Sequence, residues 1–200
     1  DRPAGFDASI DAYADWLCGE VAEIAVRAGE PVDLVGHDWG AGLTIRLALE
    51  AHPSLRSWAI DVAGIAHPDY VWHDTAQMWQ TPEQGEAVID AMVAAGVDLA
   101  PSYEGLGLDA SDAATLAGWM DAEMGACILA LYRSATPNMF ADWGPLATTA
   151  APGLVIHATE DSFSDPALGA EVADATGASV AQLAAGHFWP LQVPDAAASL

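Results

Sequence analysis

A short apolar run, Val32 to Val35, breaks without a loop into Gly36-His37-Asp38-Trp39-Gly40. A helical pattern follows at once, with Leu43, Leu47 and Ala51 on one side. No other segment restricts the fold as tightly. A buried strand that turns directly into a helix holds its central side chain out above the strand's carboxyl edge. Glycines stand two positions before and two positions after Asp38. Larger side chains there are expected to clash with the neighbouring strands or helix. Asp38 also lies at a helix N-terminus, whose partial positive charge favours an anion. It is therefore expected to stay ionised and available. An ordinary N-capping Asp is the plain alternative; its place between a buried strand and a helix argues against that.

The surrounding pattern extends the frame. Ile10, Tyr13, Leu17, Val21 and Ile24 follow helical spacing over Ser9–Ala28, with Ser9 to cap the start and Gly29 past the end. Trp58–Ala63 reads as a second strand. Residues 1–65 thus alternate helix and strand, as in a parallel sheet with covering helices. Strand-like runs vanish from residue 67 to 140. Helical patterns over Glu83–Ala95, Ser111–Met120 and Ala122–Ser134 replace them, rich in Trp, Met and Ala. Alternation resumes with a strand at Gly153–Ala158, a helix at Pro166–Thr176, a strand at Ser179–Leu183 and a helix opening at Pro194. The expected organisation is a core over residues 1–66, a helical insertion over 67–140 and the rest of the core over 141–200.

Composition narrows the function. The 200 residues carry 29 Asp and Glu against 5 Lys and Arg, a formal charge of −24, and every cation is Arg. That balance excludes a nucleic-acid groove and an anionic membrane surface, which need basic patches. No apolar run is long enough to span a bilayer. At 52% hydrophobic the chain is too apolar for an acidic disordered tail. The acids read as a solvated surface, possible in a salt-adapted protein, and their field favours a neutral small-molecule substrate. Cys18 and Cys127 form no framework, and point to small buried thiols in a reducing, cytoplasmic setting. His37, His52, His67, His73 and His157 show no ligand spacing for a metal.

Leu34-Val35-Gly36-His37-Asp38-Trp39-Gly40-Ala41 resembles the nucleophile elbow of α/β-hydrolases. More narrowly, it is similar to the Asp-nucleophile branch that holds epoxide hydrolases and haloalkane dehalogenases. Asp1-Arg2-Pro3 resembles the loop before that branch's first large helix, and Gly186-His187-Phe188-Trp189 resembles its catalytic-histidine loop. The resemblance implies an α/β-hydrolase fold with an inserted helical cap. It also implies early strands, and a His-Gly oxyanion loop after one of them, that this sequence does not contain.

The resemblance further implies an acid and then a base after the nucleophile in chain order. His187, after a strand and the small-residue loop Ala184-Ala185-Gly186, suits the base. Asp161, beyond the end of Gly153–Ala158, suits the acid. Asp61 competes with it from inside the apolar run Trp58–Ala63, where a buried carboxylate needs its own partner. Asp161 is favoured.

An Asp nucleophile implies an alkyl-enzyme ester, hydrolysed by a His187-activated water, with the Trp39 backbone N–H facing the oxyanion. No cofactor and no metal is implied. The partners are a small neutral organic substrate and water. Tyr132-Arg133 resembles the Tyr-Arg pair in which epoxide hydrolases carry one ring-opening tyrosine, so Trp39 and Tyr132 are the expected substrate contacts. The second tyrosine, a few residues before Trp79-Gln80-Thr81-Pro82, is replaced by Thr75, with Tyr70 and Tyr103 as possible substitutes. Trp72, Trp79, Trp119, Met78 and Met120 read as cap packing or lining, and His73-Asp74 as a surface contact. Three readings stay open. They are an epoxide hydrolase, a haloalkane dehalogenase of the same mechanism, and an inactive fragment or binding module.

Overall fold

The computed structural model describes residues 2–140 and 143–200. Asp1 of the N-terminal loop and the first two residues of the expected final core segment lie outside them.

Four strands form one parallel sheet in the order β1-β2-β3-β4, with β1 at Val32–Gly36, β2 at Leu55–Ile60, β3 at Gly153–Ala158 and β4 at Ser179–Leu183. Helix α1 (Ile10–Ala28) starts where the Ser9 hydroxyl accepts the Ala12 N–H at 3.2 Å. It ends at Gly29, whose φ of 76° gives the left-handed turn that glycine adopts without strain. Helix α2 (Trp39–Leu49) leaves β1 directly and buries Ala41, Leu43, Ile45, Leu47 and Ala48 against the sheet. Helix α8 (Pro166–Thr176) is capped by Asp165 and links β3 to β4.

β2 differs from the expectation at both ends. It begins at Leu55, because Leu55 pairs with Val32, and stops at Ile60, whose partner is Gly36. Past Gly36 the β1 chain turns away into α2, so Asp61 keeps only one long bond to β1, from its N–H to the Gly36 carbonyl at 3.4 Å. The run expected as strand through Ala63 instead enters a 3₁₀ turn over Ala63–Ala66. Asp61 therefore lies just beyond a strand end, not inside one.

Among the described residues five α-helices and no strand lie between β2 and β3. These are α3 (Asp74–Gln80), α4 (Gln84–Ala95), α5 (Ala100–Glu104), α6 (Ala110–Gly118) and α7 (Ala122–Ser134). Asp109 and Asp121 cap α6 and α7 through backbone N–H groups of the first turn. The short α3 and α5 had no sequence expectation, since one or two turns show too little periodicity to read. The same holds for α9 (Trp189–Gln192), which precedes α10 (Pro194–Ala197). Among the described residues no single helix is long and apolar enough to cross a membrane.

Candidate active site

The turn after β1 is strained at its centre. Asp38 has φ 52° and ψ −121°, a conformation that L-residues other than glycine rarely adopt. Surrounding structure must hold it there. Gly36 is one reason it can form, since a Cβ at that position would run into the Gly40 carbonyl and the Thr44 side chain. Gly40 departs from the expectation. A Cβ there meets nothing within 4 Å, so the steric need for glycine lies on the strand side alone. Asp38 does not cap α2 through its side chain, which rules out the N-cap alternative.

Asp38 opens into a cavity of about 210 Å³ whose wall includes Trp39, Tyr70, His73, Tyr132 and His187. Sheet and helical insertion both contribute. Trp39 stacks on Trp72 with ring centroids 5.1 Å apart, and Tyr132 meets both Trp39 and Trp79 at 4.8 Å. Of the expected cap residues, Trp72 and Trp79 line this chamber, whereas Trp119 is mostly exposed. The Trp79 indole N–H is buried and has no hydrogen-bond partner among the described residues.

His187 lies on the loop after β4. Its Nδ1 is 3.1 Å from Asp161 Oδ2, and the Phe163 N–H donates to Asp161 Oδ1 at 2.8 Å. Asp161, 8% exposed, is thus held on both oxygens. With Nδ1 engaged, Nε2 is the free nitrogen of His187. Asp61 makes different bonds. It accepts the Asp38 N–H at 2.9 Å and the Trp189 indole N–H at 2.6 Å, and pairs with His37 Nδ1.

Electrostatics modify one expectation. Burial pushes the Asp38 carboxyl above its ordinary value, and the Asp61 charge adds to this. His187, His37 and the Trp39 N–H pull it back down. The helix terminus does not offset burial, and the two histidines oppose the rise without cancelling it. Burial opposes the charged form of His187, but Asp161, Asp38 and Asp61 outweigh it and raise the group. Burial and the Asp38 charge raise the Tyr132 phenol, and push Tyr70 up to about 12.

The alpha/beta hydrolase family profile matches residues 1–200. The chain belongs to the alpha/beta hydrolase family. No curated protein matches the sequence. Similar solved structures include the N-formylmaleamic acid deformylase of Pseudomonas putida S16, at 18% identity and TM-score 0.71, over 98% of this chain and 75% of that one. A haloalkane dehalogenase from Bradyrhizobium elkani USDA94 aligns at 24% identity and TM-score 0.69, over 97% of this chain and 72% of that one. The 2-hydroxy-6-oxo-6-phenylhexa-2,4-dienoate hydrolase of Rhodococcus sp. strain RHA1 aligns at 17% identity and TM-score 0.67, over 100% and 73%.

Within the family fold, sequence reasoning missed three contributors. His73 is not a surface contact: it lines the cavity, and its Nδ1 accepts the Ala76 N–H at 3.3 Å to cap α3. Burial lowers it, and the cap bond leaves the proton on Nε2. Phe163 packs on His187 at 4.9 Å. Gln192 accepts the Gly186 N–H at 2.8 Å and donates to the Leu106 and Gly107 carbonyls, which ties the His187 loop to the helical insertion. A polar residue in the short helix after Gly186-His187 was the only available signal for Gln192. Tyr70 and Tyr103 both reach the cavity, while Thr75 is not part of its wall. Among the described residues no group of three or more His, Cys, Asp or Glu side chains could hold a metal ion. Cys18 and Cys127 are free thiols, neither fully buried.

Proposed function

We propose that this hydrolase uses Asp38 as its nucleophile and forms an alkyl-enzyme ester, most like an epoxide hydrolase. The observation that carries this reading is the carboxylate at the strained turn, where it shares one aromatic cavity with the Asp161-paired His187. A carboxylate at that point suits displacement at saturated carbon. One Asp38 oxygen attacks an epoxide carbon and the ring C–O bond breaks. The leaving oxygen takes a proton from Tyr132, whose place on α7 over Trp39 supports that role. Residues 67–140 serve as the cap.

His187 Nε2 then removes a proton from water, and the hydroxide attacks Cγ of the Asp38 ester. The oxyanion that forms on Asp38 faces the Trp39 N–H. Collapse breaks the bond from Cγ to the substrate oxygen, that alkoxide takes the proton of the new carboxylic acid to leave as a diol and restore the Asp38 carboxylate, and His187 gives its proton back to the Tyr132 phenolate. Electrostatics favour this order. The free Asp38 charge raises His187, and esterification removes that charge, so the imidazole becomes more available as a neutral base when the second step needs it. The cavity volume limits the substrate to a small molecule, and the net charge of −24 favours a neutral one.

His187→Gln incubated with styrene oxide tests the proposal. Intact mass should rise by one substrate, on the peptide that contains Asp38. An unlabelled protein overturns the ester mechanism. One observation favours a second reading, haloalkane dehalogenation by the same route. The Trp79 indole N–H, without a partner among the described residues and in the same cavity wall as Trp39, suits a halide, which needs N–H donors and no proton. Bromide release from bromoalkanes without diol formation from epoxides would select it.

A further inference from the structure

Asp61 is buried behind the cavity, not in its wall. It is 1% exposed, yet each of its contacts is with a donor. Oδ1 takes the Asp38 backbone N–H; Oδ2 takes the Trp189 indole N–H and His37 Nδ1. Desolvating a carboxylate this far is costly unless its lone pairs are answered. The donors come from two places that are distant in sequence. His37 and Asp38 form the turn after β1. Trp189 lies two residues past His187 and opens α9. The His37 ring fills the space between, 4.8 Å from the His187 ring and 6.3 Å from that of Trp189. Among the described residues no other side chain hydrogen-bonds to both the turn and the loop.

We propose that Asp61 is a positioning residue that sets the distance between Asp38 and His187 by joining the turn to the loop through its two oxygens. Asp161 orients the His187 ring; Asp61 places the loop that carries it. The inference rests on the ester mechanism above, since only that mechanism assigns one step to each side of the joint. The contacts also explain how Asp38 keeps its φ of 52°, because the Asp61 bond holds the N–H of that same residue.

The division between oxygens permits selective cuts. Asp61→Asn can keep its oxygen toward Trp189 and His37, but its NH₂ then faces the Asp38 N–H, donor against donor. Trp189→Phe keeps an aromatic ring in the core at some loss of packing volume and removes the indole N–H that links Asp61 to the loop. Single-turnover kinetics with styrene oxide should show ester formation slowed about tenfold in Asp61→Asn, the cost of roughly one hydrogen bond. Trp189→Phe should slow ester hydrolysis about tenfold and leave ester formation within about twofold. Equal slowing of both steps in both variants, or no change in either, overturns the inference while the ester mechanism stands. Absence of any adduct in His187→Gln overturns the mechanism itself and the inference with it. Hydrogen exchange of the Trp189 indole N–H in the unaltered protein gives a readout free of activity and of folding defects. It should be slow, and fast exchange refutes the joint.

Discussion

Asp161 and Asp38 carry the sharpest consequences for single residues. Asp161→Asn keeps the shape but loses the charge that raises His187 and fixes its Nδ1. Ester hydrolysis should slow on the order of 10²–10⁴-fold, the usual weight of general-base catalysis. Adduct should then accumulate with styrene oxide; normal turnover would assign the acid elsewhere. The pH dependence follows from the two raised groups. Under the proposed mechanism ester formation needs ionised Asp38, so its rate should fall as pH drops through a value above the ordinary carboxylate one. Ester hydrolysis needs neutral His187, so its rate climbs as pH passes through the histidine value. In the ester the Asp38 charge is gone, so that limb should lie below the His187 titration in the free enzyme. Stopped-flow rates against pH, compared with the His187 NMR titration, check the order. Gly36→Ala should cost about 1–3 kcal/mol in urea unfolding, because the new methyl meets backbone that cannot yield.

At the scale of elements, the start of α1 and the end of α7 are joined. The Ser134 hydroxyl accepts the Ile10 N–H at 2.8 Å and donates to the Leu131 carbonyl. One hydroxyl thus satisfies a free donor at a helix start and fixes the helix that presents Tyr132. Ser134→Ala should lower stability by about 1–2 kcal/mol, since it leaves a half-buried N–H without its partner. Chemical denaturation measures this. Elements with a cap and a full amphipathic period were legible in advance. α7, α8, β3 and β4 fall on their expected bounds. α3 was not, since a histidine caps it, a residue that carries no capping signal in sequence, and it is only seven residues long.

For the whole molecule, charge is the dominant fact. With −24 and no lysine, the folded chain holds its acids against mutual repulsion. All five arginines pair with carboxylates, as in Arg46 with Asp11 and Glu50, Arg133 with both Glu86 oxygens and Arg2 with Glu123. Five cations leave most acids unpaired. The melting temperature should therefore rise as NaCl is increased from low salt, with most of the gain complete once the screening length falls to roughly 8–10 Å. A flat profile would discard salt adaptation. The described surface also leaves Trp16, Val26, Val35 and Trp119 largely exposed, with Val35 on the strand that leads to Asp38.

The sequence alone determined the parallel α/β frame and the turn at Asp38; the order Asp38, Asp161, His187 came from the family resemblance. The frame and the turn are local properties: alternating apolar runs, glycine spacing and helix caps are written in adjacent residues. Tertiary structure decided what depends on distance across the chain. Asp61 and Asp161 both follow the end of an apolar strand, and the sequence separated them only by reading β2 as running on through Asp61. Only folding sets Asp161 against His187, and Asp61 against the Asp38 N–H and Trp189, 128 residues further on. His73 entered the cavity for the same reason. A side chain's neighbours are fixed by how elements pack, and packing is a property of the whole fold, not of the residues beside it.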